Sequence, residues 1–228
     1  MSSMYTDGEY VRRHPTWHVE DSPWKAQQVI KILKRNSLVP RTIAEVGCGA
    51  GEVIRRVSLA LPDARCRGFE ISPDAFEQTR GRETENLTYS LCDVLQTKET
   101  FDLVLLMDVI EHVEDCFGFL RAIRQRTKYA VAHIPLDLSV LSLMIGAPMA
   151  NRRSAGHLHY FTKSTALALL TDTGYRVLDS MYPTGGQFLP NKGWRSRLIS
   201  PLRAVGARIA PGLSAIVLGG ASIMVLAH

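Results

Sequence analysis

Three glycines at alternate positions form the motif of this chain with the clearest chemical meaning. They are Gly47, Gly49 and Gly51, and they stand between an apolar run containing Glu45 and a helix-like segment. Glycine has no Cβ, so its backbone can come into contact with a ligand. The helix that follows directs unpaired N–H groups and the positive end of its dipole at the same place. The motif therefore predicts a site for a nucleotide-type ligand.

The spacing of these glycines and the acids around them narrow the choice of ligand. The dinucleotide fingerprint Gly-x-Gly-x-x-Gly has a three-residue final step, which is missing here. Glu45 precedes the first glycine and Glu52 follows the last. Because carboxylates repel a pyrophosphate, a cationic or zwitterionic ligand suits this loop better than a phosphorylated one.

Two more carboxylates stand where predicted strands end. Glu70, 19 residues after Gly51, can accept two hydrogen bonds from a ribose diol, or it can be an ordinary strand-terminal acid. Asp93 can accept a hydrogen bond from an adenine amino group while Cys92 and Val94 flank the ring. Taken alone, Asp93 fits a turn equally well.

The order and spacing of these motifs resemble those of the class I S-adenosylmethionine-dependent methyltransferases, and especially the small-molecule group that includes the ubiquinone-biosynthesis O-methyltransferases. The stretches that carry the resemblance read Glu-Val-Gly-Cys-Gly-Ala-Gly, Phe-Glu-Ile-Ser, Cys-Asp-Val and Phe-Asp-Leu-Val-Leu-Leu-Met-Asp-Val-Ile-Glu-His-Val. The resemblance covers roughly residues 43–182 and implies S-adenosylmethionine as the cofactor.

The same resemblance implies a role for each motif. The glycine loop would shape the methionine pocket, Glu70 would hold the ribose, and Asp93 and Val94 would meet the adenine. Met107 and Asp108 would line the floor beneath the sulfonium, a cation that tolerates nearby carboxylates. The implied cofactor residues are Glu45, Gly47, Cys48, Gly49, Gly51, Glu70, Ile71, Cys92, Asp93, Val94 and Met107.

Asp108, Glu111 and His112 follow the fourth predicted strand, beside the expected position of the methyl group. If a helical turn begins there, the three side chains share one face. Such a trio could bind a divalent metal or supply a general base. Glu-His is also common at this place in relatives without a metal, so a structural or cofactor-contacting role is the alternative and no metal ligand is assigned.

His157 and His159 form the second candidate site. In an extended chain their side chains point to the same side, and Thr162 can cap the helix that follows. An unperturbed imidazole titrates near pH ~6.5, so either histidine could take a proton from the acceptor, or both could serve packing. The catalytic candidates are Asp108, His112, His157 and His159.

Strand-like runs alternate with helix-patterned segments over most of the chain and must position these residues. The pattern predicts an α/β fold, a Rossmann-like seven-stranded, mostly parallel sheet with helices on both faces and an antiparallel last strand. The fifth strand is predicted to end at Ile134, before Pro135, and a helix is predicted over Val113–Arg126.

Four parts are expected along the chain. Residues 1–36 form an N-terminal cap and first helix, residues 37–182 form the cofactor-binding core, and residues 183–228 add a basic helix and the last strand. Residues 138–160, with an apolar helix over Leu138–Ala150, form a lid inserted within the core. Cap and lid would exclude water from the sulfonium. Trp17 and Trp24 either cover the cofactor or anchor the cap.

Length and composition indicate the number of domains, the absence of predicted membrane segments and the cellular compartment. At 228 residues, one domain with a lid is expected, and 46% apolar with 21% charged residues is ordinary for a globular protein. The first residues show no signal-peptide pattern, and no apolar run reaches 18 residues, so no transmembrane segment is predicted. The four scattered cysteines indicate a reducing compartment, which predicts a cytoplasmic location.

Charge is distributed unevenly. Residues 1–117 contain 14 Lys and Arg against 19 Asp and Glu, whereas residues 118–228 contain 13 against 3. The basic residues of the second half either lie on solvent-exposed helix faces or form a surface that binds an anionic acceptor or an anionic membrane. A nucleic-acid partner is not expected, because no series of aromatic residues is interleaved with the basic ones.

The sequence therefore predicts a methyltransferase that uses S-adenosylmethionine to methylate an O or N atom of a small-molecule acceptor. The basic C-terminal half adds the hypothesis that this acceptor is anionic or membrane-associated. A cofactor-binding protein without catalysis is the first alternative. A nicotinamide-dependent oxidoreductase is the second, and the glycine spacing disfavours it.

Overall fold

The computed structural model describes residue 12 and residues 16–17, 19–185 and 194–228. Seven strands in these ranges form one sheet in the order β3-β2-β1-β4-β5-β7-β6. The strands are β1 (Thr42–Val46), β2 (Arg65–Glu70), β3 (Leu87–Leu91), β4 (Phe101–Met107), β5 (Thr127–Leu136), β6 (Val177–Met181) and β7 (Ala221–Ala227).

Helices cover both faces of the sheet. Those in the described ranges are α1 (Ser22–Arg35), α2 (Glu52–Ala60), α3 (Pro73–Glu77), α4 (Cys116–Arg124), α5 (Val140–Met144), α6 (Ala147–Ala155), α7 (Lys163–Asp172), α8 (Trp194–Ile209) and α9 (Pro211–Val217). None of the described helices is both long and apolar enough to span a bilayer.

The strand directions confirm the predicted fold class. β1 to β5 run parallel, and β7 runs antiparallel to both β5 and β6. Alternate residues of β4 supply the two sides of the core: Leu103 and Leu105 pack with α1 and α2, whereas Val104 and Leu106 pack with α4 and α7. Burial on both faces explains why residues 103–107 read as one continuous apolar run.

The predicted end of the fifth strand is wrong, because β5 continues through Pro135 to Leu136. β4 ends at Met107, opposite His133, so beyond that point β5 pairs with β7 alone among the described residues. Proline lacks an N–H and is tolerated where a strand has a neighbour on one side. The proline therefore does not stop the strand.

Two predicted helices also have different bounds. The helix expected over Val113–Arg126 begins at Cys116, because the side chain of Asp115 accepts a hydrogen bond from Gly118 N and caps it there. The helix expected over Leu138–Ala150 is divided into α5 and α6, because residue 146 is a glycine with a left-handed φ of +68°.

The division of the chain into four parts stays a prediction. Residues 1–11, 13–15 and 18, and with them most of the predicted N-terminal cap, lie outside the described residues. The predicted first helix is present as α1, which packs against α2. In the C-terminal part, residues 186–193 lie outside the described ranges, and α8, α9 and β7 follow.

The strand order reverses at β1, which has β2 on one side and β4 on the other. In open α/β sheets such a switch point leaves a crevice beyond the carboxyl ends of the strands, where ligands bind. The glycine loop follows β1, Glu70 ends β2, and Asp108 follows β4. The topology therefore gathers the predicted motifs at one edge of the sheet.

Candidate active site

A cleft of about 1330 Å³ opens at this switch point. Pockets for one drug-sized ligand measure roughly 300–1,000 Å³, so this cleft has room for a nucleoside-sized cofactor and a second molecule. Most of the predicted site residues line it. They are Glu45, Gly47, Cys48, Gly49, Glu70, Ile71, Cys92, Asp93, Val94, Met107, Asp108, His112 and His157; Gly51 and His159 do not.

The glycine loop joins β1 to α2 through left-handed residues. Gly47, Gly49 and Gly51 have φ values of +66°, +55° and +75°, which residues with a Cβ rarely adopt. At Gly51 space matters as well, because an added Cβ would lie 2.4 Å from the ring of Tyr89. Gly51 is the N-cap of α2, so it shapes the turn without lining the cleft.

Glu70 holds the loop through three backbone N–H groups. Its Oε2 accepts from Gly49 N at 2.7 Å, and its Oε1 accepts from Ile71 N and Ser72 N, each at 2.8 Å. Burial raises the pKa of Glu70, and these donors oppose part of the rise. The carboxylate ties the glycine loop to the end of β2, and a contact with a ribose stays a prediction.

The two acids that flank the loop differ in their charge. Glu45 is buried in β1 and accepts a hydrogen bond from Ile54 N at 3.0 Å; burial raises its pKa to about 8. Glu52 binds Arg55 and Arg56 at 2.7 and 2.8 Å, and its pKa is lowered, chiefly by the hydrogen bond from Arg55. The arginines compensate Glu52, so the repulsion of a pyrophosphate by this acid is weaker than the sequence suggests.

Asp93 takes the turn position that the sequence allowed and also lines the cleft, while its contact with an adenine stays a prediction. Its Oδ1 accepts from Leu95 N at 2.9 Å and caps a short 3-10 turn that begins at Val94. It also lines the cleft with Ile71, Cys92 and Val94. The turn therefore presents this carboxylate at the side of the cleft where an adenine is expected.

Asp108 lies at the centre of a network of charged and polar side chains. Its Oδ2 lies 2.7 Å from Lys25 Nζ, its Oδ1 lies 2.6 Å from His133 Nδ1, and His133 Nε2 lies 2.8 Å from Ser222 Oγ. Burial alone would raise the pKa of Asp108, but His133 and Lys25 hold it well below its usual range. Asp108 has a φ of +56°, an uncommon conformation for a residue with a side chain.

Lys25 and His133 line the cleft but were not among the predicted site residues. His133 could have been noticed, because it is a polar residue inside the apolar run of β5. Lys25 carries no such signal, since it looks like one of many basic residues on a helix. Trp17 and Trp24, which were expected to cover the cofactor or to anchor the cap, also line the cleft. Trp24 packs edge-on against His133 with ring centroids 5.6 Å apart.

Glu111, His112 and His157 come together on one wall of the cleft. The rings of the two histidines are 4.9 Å apart, and His112 Nε2 lies 3.9 Å from Glu111 Oε1. Burial, and then the neighbouring His157, lowers the pKa of His112 to about 4, so its ring is neutral at pH 7. Burial, and then Asp108, raises the pKa of Glu111 well above its ordinary value.

The expectation that His157 and His159 face the same side is wrong. His157 Nδ1 lies 2.5 Å from Asp137 Oδ2 in the cleft, whereas His159 Nε2 contacts the backbone oxygens of Val113 and Glu114 at 2.9 and 3.2 Å. The segment is not a β-strand, so side chains do not alternate regularly along it. His159 is anchored to the backbone outside the cleft.

The predicted lid forms the outer wall of the cleft. The residues of this segment that line it include Ser142 of α5, Ala147, Ala150 and Asn151 of α6, and His157. Arg203 of α8 lines it from the other side. The wall beyond the glycine loop is thus built by the segments that follow β5 and precede β7.

Residues 44–129 match a family model described as a methyltransferase domain. Ajmaline N-methyltransferase of Rauvolfia serpentina is 30% identical over 113 residues, covering 44% of this chain and 38% of that protein. Ubiquinone biosynthesis O-methyltransferase of Methylobacterium sp. (strain 4-46) is 31% identical over 86 residues, covering 35% and 34%. The chain thus spans little more than a third of the length of these two relatives.

Solved structures share the whole architecture. The plantazolicin methyltransferase BpumL in complex with SAH superposes with a TM-score of 0.63 at 15% identity, covering 99% of this chain and 91% of that one. N-methyltransferase NodS of Bradyrhizobium japonicum WM9, with S-adenosyl-L-homocysteine, superposes with a TM-score of 0.61 at 16% identity, covering 97% and 98%. At such identities the likeness establishes the fold, and the domain match agrees with it. The matched region is thus similar to a methyltransferase domain, and the chain has the fold of the class I S-adenosylmethionine-dependent methyltransferases.

Proposed function

We propose that this protein transfers a methyl group from S-adenosylmethionine to an O or N atom of a small-molecule acceptor. The observation that carries the proposal is the cleft at the switch point, which gathers the glycine loop, Glu70 and Asp93 on one side and the Glu111–His112–His157 wall on the other. Methyl transfer is an in-line displacement, so a protein serves it mainly by aligning two bound molecules. The names of the relatives, N- and O-methyltransferases, support this reaction class.

In the proposed complex the cofactor occupies the inner part of the cleft. Gly47 and Gly49 face its methionine portion, Glu70 holds the ribose, and Asp93 with Cys92 and Val94 holds the adenine. Met107 and Asp108 lie beneath the sulfonium. The neighbouring structures with bound SAH support this cofactor.

The acceptor occupies the outer part, with its nucleophilic atom against His112 and His157. Both side chains are largely buried, at 13% and 12% exposure, and can hold an OH or NH group in a defined direction. The unprotonated nitrogen of a neutral imidazole can accept a hydrogen bond from such a group. We do not extend a catalytic role to His159, because its ring contacts backbone oxygens and the residue does not line the cleft.

We further propose that the enzyme works in the cytoplasm and receives its acceptor at an anionic membrane surface. Large apolar side chains are exposed on α5, on α8 and on α9, which contacts both of these helices. Met144, Ile145 and Ile209 are 79%, 67% and 80% exposed. Exposed arginines accompany them, and no acid follows Asp179. Apolar side chains among basic ones are typical of surfaces that bind anionic lipid.

Calorimetry with S-adenosylmethionine and S-adenosylhomocysteine tests the cofactor. We expect both to bind, and a chain that binds neither contradicts the proposal. A transfer assay with labelled methyl groups then tests catalysis on a panel of phenols, amines and lipophilic quinols. Cofactor binding without transfer to any acceptor favours the non-catalytic alternative, and binding of a nicotinamide dinucleotide instead favours the oxidoreductase.

Co-sedimentation with vesicles tests the membrane surface. We expect binding to phosphatidylglycerol-containing vesicles and weaker binding to pure phosphatidylcholine, since the surface is basic. Met144→Ser with Ile145→Ser should reduce the bound fraction. Leu59→Ser is the matched control, because Leu59 is 61% exposed on α2, in another part of the fold. Equal loss with the control, or no binding at all, contradicts the membrane proposal.

A further inference from the structure

Glu111, His112 and His157 form a cluster in which the methyl-transfer proposal gives Glu111 no role. One ligand atom from each side chain lies within 4.8 Å of the other two. The first two residues follow β4, whereas His157 follows α6, so two separate segments meet here. Two imidazoles and one carboxylate are a ligand set typical of divalent transition metals.

Glu111 is the member that most needs a partner. Its side chain has no exposed surface, and neither carboxylate oxygen accepts a hydrogen bond from the residues that the structure describes. A buried polar group without a partner destabilises the fold, and more so when it is charged. Its position is set by its backbone oxygen, which accepts from Leu158 N at 2.7 Å and from His159 N at 3.1 Å. The carboxylate is therefore held in the cluster by the chain around it.

The two histidines are oriented as metal-binding histidines usually are. His157 Nδ1 lies 2.5 Å from Asp137 Oδ2, and Asp137 Oδ1 in turn accepts from Asn151 Nδ2 at 3.0 Å. His112 Nδ1 lies 3.3 Å from Gly156 O. In metal sites a carboxylate or backbone oxygen commonly holds one ring nitrogen of a histidine while the other binds the ion.

We propose that Glu111, His112 and His157 bind one divalent transition-metal ion of the Zn²⁺ type, with Asp137 as the outer partner of His157. The trio considered from the sequence contained Asp108 and was assigned no metal. In the structure Asp108 is engaged by Lys25 and His133, and His157 takes its place. Ligands of a tetrahedral zinc ion lie about 3.4 Å apart, so side-chain movements of about 1 Å complete the site.

The use of the metal rests on the proposed function, whereas its binding rests on the cluster alone. Three protein ligands leave a position for an OH group of the acceptor, whose pKa a bound cation lowers. The O–H bond loses its proton to solvent, the oxygen then forms a bond to the methyl carbon, and the S–CH₃ bond breaks. The sulfonium becomes the neutral thioether of S-adenosylhomocysteine, so charge and atoms balance.

Metal binding is tested on the full chain after chelator treatment and dialysis. Titration with Co²⁺ should give the visible absorption of a tetrahedral site with nitrogen and oxygen ligands, and Zn²⁺ should displace it at one ion per chain. Glu111→Gln and His157→Gln should abolish this signal. Asp137→Asn should weaken Co²⁺ affinity roughly 10–100-fold while leaving a site.

His159→Gln is the matched control, because this histidine lies two residues from His157 but outside the cleft. It should bind Co²⁺ as the unaltered chain does. Unchanged affinity for S-adenosylhomocysteine in each variant shows that the fold is kept. The inference is overturned if no Co²⁺ or Zn²⁺ binds, or if Glu111→Gln and His157→Gln bind them as before. Cofactor binding without metal binding defeats this inference alone, and metal binding without cofactor binding defeats the proposed function alone.

Discussion

Asp108 Oδ1 lies 2.6 Å from His133 Nδ1, which joins the residue after β4 to β5 at the last pair of the two strands, Met107 and His133. The same carboxylate reaches Lys25 at 2.7 Å on α1. Three elements that are distant in the sequence thus meet through one side chain at the floor of the cleft. This carboxylate holds α1 against the switch point of the sheet.

Asp108→Asn is expected to lower the free energy of unfolding by about 1–3 kcal/mol. Asparagine keeps the size and tolerates the left-handed backbone, but it leaves Lys25 near a neutral group. The loss lies between that of an exposed and a fully buried pair, since Asp108 is 28% exposed. Urea denaturation at pH 7 measures it. Asp74→Asn, at an exposed position of α3, should change little, and an equal effect of both variants contradicts this role of Asp108.

Glu70→Gln should weaken the binding of S-adenosylmethionine about 10-fold or more. Three backbone N–H groups donate to the two oxygens of this carboxylate. A glutamine amide has only one accepting oxygen and no negative charge, so it cannot replace all three hydrogen bonds. Calorimetry gives the change in affinity. Glu77→Gln is the control, because that side chain is 56% exposed and pairs with Arg80 on the surface. Unchanged affinity in Glu70→Gln contradicts its role in the cofactor site.

Glu45→Gln should stabilise the free protein increasingly as pH rises. The pKa of Glu45 is about 8 in the fold, against an ordinary value near 4.5 in the unfolded chain. Between these values the folded chain keeps a proton that the unfolded chain has lost, so this group makes stability fall with increasing pH. Glutamine removes that dependence and can still accept from Ile54 N.

The measurement for Glu45 is the unfolding free energy of both proteins at pH 5 and at pH 8. The advantage of Glu45→Gln should grow by more than about 1 kcal/mol between the two, because each unit of pKa shift corresponds to about 1.4 kcal/mol. Glu83→Gln, at an exposed position, should show no such trend. A pH-independent difference in Glu45→Gln would show that this carboxyl group does not titrate in the range.

Gly51→Ala should destabilise the fold more than Gly81→Ala. Both glycines have similar φ values, +75° and +72°, so the backbone strain of about 1–2 kcal/mol is shared. An added Cβ meets Tyr89 at 2.4 Å in the first case and nothing within 4 Å in the second. Overpacking should add roughly 1–3 kcal/mol at Gly51. Thermal unfolding compares the two, and equal losses would mean that Tyr89 moves aside freely.

Local pattern was enough to predict the fold class. Burial on both faces makes residues 103–107 of β4 continuously apolar. Ser72 followed by Pro73 is a local signal for the start of α3, where the serine side chain accepts from Ala75 N. These features depend on neighbours in the sequence, so they can be read from it. The bounds of Val113–Arg126 and of the strand before Pro135 depend on a cap and on a neighbouring strand, and there the predictions were wrong.

The candidate site also has one part that the sequence predicts and one part that depends on tertiary packing. The sequence by itself determined the glycine loop and the carboxylates at the ends of β1 and β2, because strand-to-turn geometry ties their chemistry to their position. Only the tertiary structure decided that Asp108 faces Lys25 and His133 and that His157, and not His159, faces His112. The partners in these contacts are 25 to 83 residues apart. Such pairs are set by how helices pack on the sheet, and no spacing along the chain records that packing.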